Sequence, residues 1–266
     1  MIVDIALVRR VERTAGRLCA RQSDRLLVRN EQCGARWCDV DEGVLIAMGG
    51  AGYVNRGVGV GLGGTPPDAL LDEVEHFYGE CEVPPSLEIC PWVPTGVIEE
   101  LRARGYRVDW FRNVYARTLD DLPPPVRAVH VDVVDLDEVE EWVAILGADH
   151  EPGSAARQLS DEFSRAIHGT PGSMHLVARV DGTAIGCGSL TIVQGVGWLG
   201  GAATLPLQRG RGTQHALLVN RLQRAQRDGC SLAAVTALPG TASARNLERV
   251  GFRLLYTQAV MTLRRD

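Results

Sequence analysis

The run Pro206-Leu207-Gln208-Arg209-Gly210-Arg211-Gly212-Thr213 brings together residue types that can hold an anion. It leaves a strand-like stretch and enters a helical one. Its end therefore falls where backbone N–H groups are unpaired and the helix dipole adds partial positive charge. Gly210 and Gly212 allow that backbone a close approach, and Arg209 and Arg211 supply planar guanidinium forks that match phosphate oxygens. Arg221, Arg224 and Arg227 continue the basic character along the helix. The spacing predicts a pyrophosphate cradle built without lysine. All 28 basic residues of the chain are Arg. The absence of Lys, read as codon bias, excludes a Schiff-base lysine, a Walker A lysine and a kinase lysine.

Other reactive side chains are less organised. Seven cysteines occur at irregular spacing. Cys33 and Cys38 are the closest pair, but no second pair and no nearby His completes a zinc site, so no metal is expected and the cysteines read as reduced, mostly buried thiols. Asp149-His150-Glu151 lies in a predicted connection between two helices and reads either as a solvated acidic loop or as a source of a general base. His168, His175 and His215 stand alone and read as structural or surface residues.

The elements that position these residues follow from pattern. Pro123-Pro124-Pro125 favours extended backbone and marks a linker, dividing the chain into domains 1–122 and 126–266. In the second half the pattern predicts a strand over 126–134, helices over 135–146 and 157–168, and strands over 174–180, 183–193 and 196–205. A helix over 213–227, a strand over 231–237, a helix over 241–250 and a strand over 252–263 complete it. Asp181-Gly182 between two of these strands is a two-residue hairpin turn. In the first half, residues 1–21 read as an amphipathic helix rather than a leader, and 53–62 as a strand. Helices follow over 67–79 and 95–104, with strands over 86–90 and up to Thr118. Leu101 to Arg107 and Leu247 to Arg253 place Leu, Gly, an aromatic and Arg in register, which suggests two copies of one fold. Gly57-Val58-Gly59-Val60-Gly61 mimics a dinucleotide loop but lies within an apparent strand. The chain has 45% apolar and 23% charged residues, ordinary for a globular protein. Residues 1–125 hold 14 Arg against 19 acidic residues, and residues 126–266 hold 14 of each. Neither half is basic enough for a nucleic-acid binder. No apolar run is long enough to span a membrane, and a cytoplasmic location is expected.

Residues 126–266 resemble a GNAT-superfamily N-acetyltransferase domain. The resemblance rests on Arg209-Gly210-Arg211-Gly212-Thr213-Gln214, on the Val180-Asp181-Gly182-Thr183 hairpin, and on Ser243 to Phe252 as the closing helix with Gly-Phe. Gln214 departs from the family's small residue at that position. The resemblance implies an α/β fold with tandem mixed β-sheets flanked by helices, the second copy complete and the first degenerate. It implies acetyl-CoA (coenzyme A) as cofactor, its pantetheine arm paired along Ala202 to Leu205 in an opening between the fourth and fifth strands. The implied contacts are Ala203, Thr204, Leu205, Arg209, Gly210, Arg211, Gly212, Thr213, Gln214, Ser243 and Asn246. An amine of a small molecule or peptide would attack the thioester directly, in a monomer or homodimer that binds neither nucleic acid nor membrane. Leu247 stands where many members carry a proton-donating Tyr, so the catalytic acid and base stay unassigned. Ser243, Asn246 and Tyr256 are the polar residues nearest that role in sequence. In the first half, Gly63 to Asp68 is the equivalent turn; it lacks Arg, and Asp68 repels phosphate. Two further readings remain: a CoA-binding sensor or scaffold without catalysis, and an unrelated nucleotide-binding module.

Overall fold

Gly43 to Met48, an apolar run, is buried at every position, as only a strand covered on both faces can be. It is the second strand of one of two units into which the chain divides. A computed structural model describes residues 1–49, 54–125, 128–135 and 138–264. The first unit comprises Met1–Val114, Ala237–Pro239 and Leu254–Asp266, and the second Tyr115–Thr236 and Gly240–Arg253.

The first unit opens with α1 (Ile5–Arg29), capped by Asp4, whose carboxylate accepts the Leu7 N–H at 2.8 Å. Its Val8, Val11 and Leu18 are buried, and the helix packs on β1 (Ala35–Val40) and β2 (Gly43–Met48), an antiparallel hairpin. β3 (Arg56–Val58), α2 (Pro67–Glu80) and β4 (Ser86–Ile89) form a parallel crossover, followed by α3 (Thr95–Ala103) and β5 (Arg107–Thr118). β3 is shorter than the strand expected over 53–62. Tyr53 lies outside the described residues, and left-handed backbone at Gly59 and Gly61 ends the strand after Val58.

β11 (Arg253–Thr262) runs antiparallel to β4, with Ala259 opposite Ile89 and Thr262 opposite Ser86. The strand order of the first unit is β1-β2-β3-β4-β11-β5. Its sheet is thus completed by a strand from the far end of the sequence. The division expected at residues 123–125 differs from this one for a physical reason. The ladder of Ala259–Thr262 on β4 ties the end of the chain, Leu254–Asp266, to the first unit, and the first unit's opening stretch ends inside β5, at Val114.

The second unit contains β6 (His130–Val133), α4 (Val139–Leu146), α5 (Ala155–Ile167), β7 (Ser173–Val180), β8 (Thr183–Val193) and β9 (Val196–Thr204). A short 3-10 turn at Pro206–Gln208 leads to α6 (Thr213–Arg227), β10 (Leu232–Ala237) and α7 (Ala242–Arg249). Residues 126–127 and 136–137 of the first expected strand and helix lie outside the described residues. The sheet order is β10-β9-β8-β7-β6, with β10 parallel to β9 and the other pairs antiparallel. Asp181 and Gly182 turn the β7–β8 hairpin with φ of 49° and 78°, the positive values this turn requires. Under the sheet, Trp142, Val143 and Ile145 of α4 pack with Val134, Val177 and Cys187. The mixed α/β architecture, sheets flanked by helices, is the one the sequence implies.

Candidate active site

β9 and β10 pair over three positions only, from Leu232 opposite Val196 to Ala234 opposite Trp198. Beyond that register β9 continues to Thr204 and β10 to Ala237, and the two strands part. A cleft of about 800 Å³ opens between them, lined by Trp198 to Thr204 on one side and Val235 and Thr236 on the other. At the same place β9 bulges. Ser189 of β8 pairs with Gly200 and Cys187 with Ala203, so Gly201 and Ala202 face Gly188 alone. A bulge leaves a residue out of the ladder. Gly201, with φ of 42°, and Ala202 are exposed to the cleft in the middle of the sheet.

The cleft leads to the start of α6. Gly210 and Gly212 have φ of 81° and 79°, left-handed backbone that folds the turn tightly. Gly212 occupies the N-cap without a side-chain cap, so no side chain satisfies the first-turn N–H groups. Gly210, Gly212, Thr213 and Gln214 line the cleft together with Arg209. The Thr213 hydroxyl is buried here without a hydrogen-bond partner. Open N–H groups, a hydroxyl and a guanidinium are a donor set suited to phosphate oxygens, and the unpaired edge of β9 suits an extended amide-bearing arm. The residues present therefore fit a coenzyme A.

The eleven residues expected at the cofactor divide. Ala203, Thr204, Arg209, Gly210, Gly212, Thr213, Gln214, Ser243 and Asn246 line the cleft. Leu205 and Arg211 do not. The Leu205 N–H donates to the Ile185 carbonyl at 2.9 Å and its side chain packs against the Trp142 cluster, while Arg211 is exposed outside the cleft. Gln214 is tied down, its Nε2 donating to the Thr204 hydroxyl at 2.8 Å. Arg209 is ion-paired with Asp149, which also lines the cleft. His150 and Glu151 are outside its lining. Leu247 is buried in the cleft wall, and Ser243 is exposed beside it. Tyr256 belongs to the first unit, where its hydroxyl donates to Glu12 at 2.7 Å. His215 is exposed in the cleft lining. His175 is buried against Trp142 and His168, and burial, with His168 beside it, pulls its pKa down to about 3, so it stays neutral.

Arg221 overturns one expectation. It does not extend a basic face toward phosphates but is buried to 2% in the cleft wall. Its Nε donates to Leu217 O at 3.1 Å, and its Nη1 to Ser189 O at 3.2 Å and Gly200 O at 3.3 Å. Burial pulls its pKa down to about 10. The signal was present in the helical period. Arg221 follows Leu217 by four residues and precedes Leu222 and Ala225, all buried on the sheet-facing stripe. Gly186 and Gly188 of β8, two residues apart, face α6, and a Cβ at Gly188 would lie 3.0 Å from the Arg221 guanidinium carbon. Among the described residues no cluster of three or more His, Cys, Asp or Glu side chains is placed to hold a metal, and no helix is long and apolar enough to cross a membrane.

With this geometry in place, comparison with known proteins is decisive for the second unit. Residues 139–252 match the model of the Acetyltransferase (GNAT) family, so this part of the chain is a GNAT acetyltransferase domain. Among solved structures, the chain is similar to a GCN5-related N-acetyltransferase from Kribbella flavida, with 19% identity, 95% of this chain and 96% of that one covered, and a TM-score of 0.65. It is similar also to a GCN5-related N-acetyltransferase from Sphaerobacter thermophilus (21% identity, 83% and 80% covered, TM-score 0.57). A tandem GNAT protein from the clavulanic acid biosynthesis pathway is a third (16% identity, 83% and 78% covered, TM-score 0.58). At these identities the likeness is one of fold. No curated protein matches the chain.

Proposed function

We propose that the second unit binds acetyl-CoA and that the protein transfers the acetyl group directly to an amine of a small molecule or peptide. The observation that carries this reading is the capless start of α6 opening into the cleft where β9 and β10 part. When bound, the cofactor supplies an activated acetyl carbon as a thioester. Arg209, the Gly210 and Gly212 backbone and the first turn of α6 hold its phosphates by charge-assisted hydrogen bonds. The backbone of β9 holds its arm, and an N–H of the bulge faces developing negative charge on the acyl oxygen. Leu247 supplies no proton, so the leaving thiolate takes one from water or from the Ser243 hydroxyl. Asp149 is ion-paired with Arg209 at the phosphate-holding end of the cleft, so the group that takes the proton from the amine stays unassigned. None of the seven cysteines is in a disulfide, which suits a reducing compartment such as the cytoplasm.

We read the first unit as a copy of the same fold that does not bind the cofactor. Its equivalent turn, before α2, is already filled by an anion from the chain. The Asp41 carboxylate accepts the Gly63 N–H at 2.6 Å, the Thr65 N–H at 3.2 Å and the Thr65 hydroxyl at 2.8 Å. These bonds hold its pKa below the usual carboxylate value, against a partial burial that acts to raise it. The second reading, a CoA-binding sensor without catalysis, is favoured by Leu247, an apolar side chain in the cleft wall. Calorimetry with CoA, acetyl-CoA and ATP, followed by thiol release across a panel of amines, separates the readings. Acetyl-CoA binding with amine-dependent thiol release is expected. CoA binding without turnover on any amine would support the sensor, and a preference for ATP would remove both.

A further inference from the structure

The bulge in β9 is held from two helices by side chains that the function above does not use. From α6, Arg221 reaches across Gly188 and takes the carbonyls of Ser189 and Gly200, the pair that flanks the bulge. From α4, the buried Trp142 donates its indole N–H to the Gly188 carbonyl at 3.3 Å, and its ring backs Gly201, where a Cβ would lie 3.1 Å from it. Cys187 packs with Trp142 while its neighbour Gly188 faces Arg221, so the two clamps approach from opposite faces of the sheet.

Arg221 is an expensive way to fill this space. No carboxylate pairs with it among the described residues, and its neighbours on the helix stripe are Leu217, Leu222 and Ala225. A buried cation satisfied only by carbonyl oxygens is less favourable than a leucine there, so packing does not explain it. What the charge does do is fix and polarise peptide groups. The Gly200 carbonyl and the Gly201 N–H belong to one planar peptide, so holding the first sets the direction of the second. A cation on the carbonyl also makes that N–H a stronger donor.

We propose that Arg221 and Trp142 are positioning residues that fix the β9 bulge so that its backbone N–H binds the thioester oxygen of acetyl-CoA. This rests on the acetyl-CoA reading above. It makes recognition of the acyl group, as distinct from recognition of CoA, depend on two side chains that act through the bulge backbone, Arg221 from the cleft wall and Trp142 from behind Gly201.

The test uses the whole chain with CoA and with acetyl-CoA labelled with carbon-13 at the carbonyl. Calorimetry gives the two affinities and infrared spectroscopy gives the carbonyl band of the bound thioester, neither of which needs an acceptor. In the unaltered chain the band falls below its position in free acetyl-CoA, and acetyl-CoA binds several-fold more tightly than CoA. Arg221→Met keeps CoA affinity within about two-fold, loses the preference for acetyl-CoA and returns the band toward its free position; Arg221→Lys recovers part of both. Trp142→Phe, which keeps the ring against Gly201 and removes only the donor, shifts the band in the same direction. It carries the test if a thermal melt shows that the Arg221 variants do not fold. An unshifted band in the unaltered chain, or a shift that survives Arg221→Met and Trp142→Phe, overturns the inference while leaving the acetyl-CoA reading intact. Absence of CoA binding in the unaltered chain overturns both.

Discussion

Two arginines two residues apart in sequence are placed to do different work. Arg209 lines the cleft and Arg211 does not. A charge-assisted hydrogen bond contributes about 1.5–3 kcal/mol, so Arg209→Ala should weaken CoA binding roughly ten-fold or more, and Arg211→Ala should cost far less. Asp149 competes with the phosphates for Arg209. An exposed ion pair is worth about 0.2–1 kcal/mol, so Asp149→Asn should tighten CoA binding up to a few-fold, and should do nothing when Arg209 is already Ala. Calorimetry on the four proteins of the Arg209–Asp149 cycle, and on Arg211→Ala as a fifth, checks both statements; equal losses from the two arginine variants would contradict the placement. Glu12, in the first unit, carries a pH dependence. It is buried to 2%, and the Tyr256 hydroxyl and the Gln258 amide both donate to its Oε1. Burial pushes its pKa up from 4.5 to about 7, only partly opposed by those bonds and reinforced by the charge of Glu88. The folded state therefore binds the proton more tightly than the unfolded state. Stability is full below pH 4.5, falls by roughly 3 kcal/mol as pH rises to 7, and is flat in this group above that. Glu12→Gln keeps an acceptor for both donors and should flatten the profile between pH 5 and 8 in thermal melts. A variant whose melting temperature still falls across that range would refute the assignment.

Each unit has a glycine-bearing turn that opens a helix, filled by a carboxylate in one and without a side-chain cap in the other. In the first unit the Asp41 carboxylate occupies the N–H groups of the turn before α2; in the second the turn before α6 has no side-chain cap. Asp41→Ala leaves those donors unsatisfied and should cost the fold about 1–2 kcal/mol, read as a lower melting temperature. A cost near zero would mean that the turn holds itself. Much of this was legible in the sequence. Gly210 and Gly212, the helix they open and the Asp181-Gly182 hairpin are local signals, and each has the backbone its pattern predicts, whereas Arg211, expected in the same cradle, lies outside the cleft. What was not legible depends on contacts made at a distance. Asp41 lies more than twenty residues before the turn it fills, and nothing nearby announces it. The bulge at Gly201 is a mismatch between two strands and has no signature in either alone. Arg221 could have been found by the helical period, which places it among buried leucines, but charge read along the sequence put it on the surface.

Across the whole molecule, the asymmetry of the two turns predicts a stoichiometry. Titration of the intact chain with CoA should give one site per chain, because Asp41 already fills the N–H groups of the turn before α2, whereas the start of α6 has no side-chain cap. Two sites would show that Asp41 is displaced by phosphate. The units are not cut from consecutive halves of the sequence. β11 hydrogen-bonds to β4 in the first unit although the second unit's β6 to α7 lie between them along the chain.

That last pairing sets a clock on biosynthesis. Leu87 meets its partner Met261 only after about 170 further residues have been made. At about 5–20 residues per second, the incomplete sheet waits roughly ten to thirty-five seconds beside the ribosome, with the flank of β4 bare. An unpaired strand of buried residues is an aggregation risk during that wait. A nascent chain stalled before residue 253 should therefore be cleaved by protease within its first unit, whereas the released chain resists. For this protein the last ten residues of regular structure decide when the first hundred are finished.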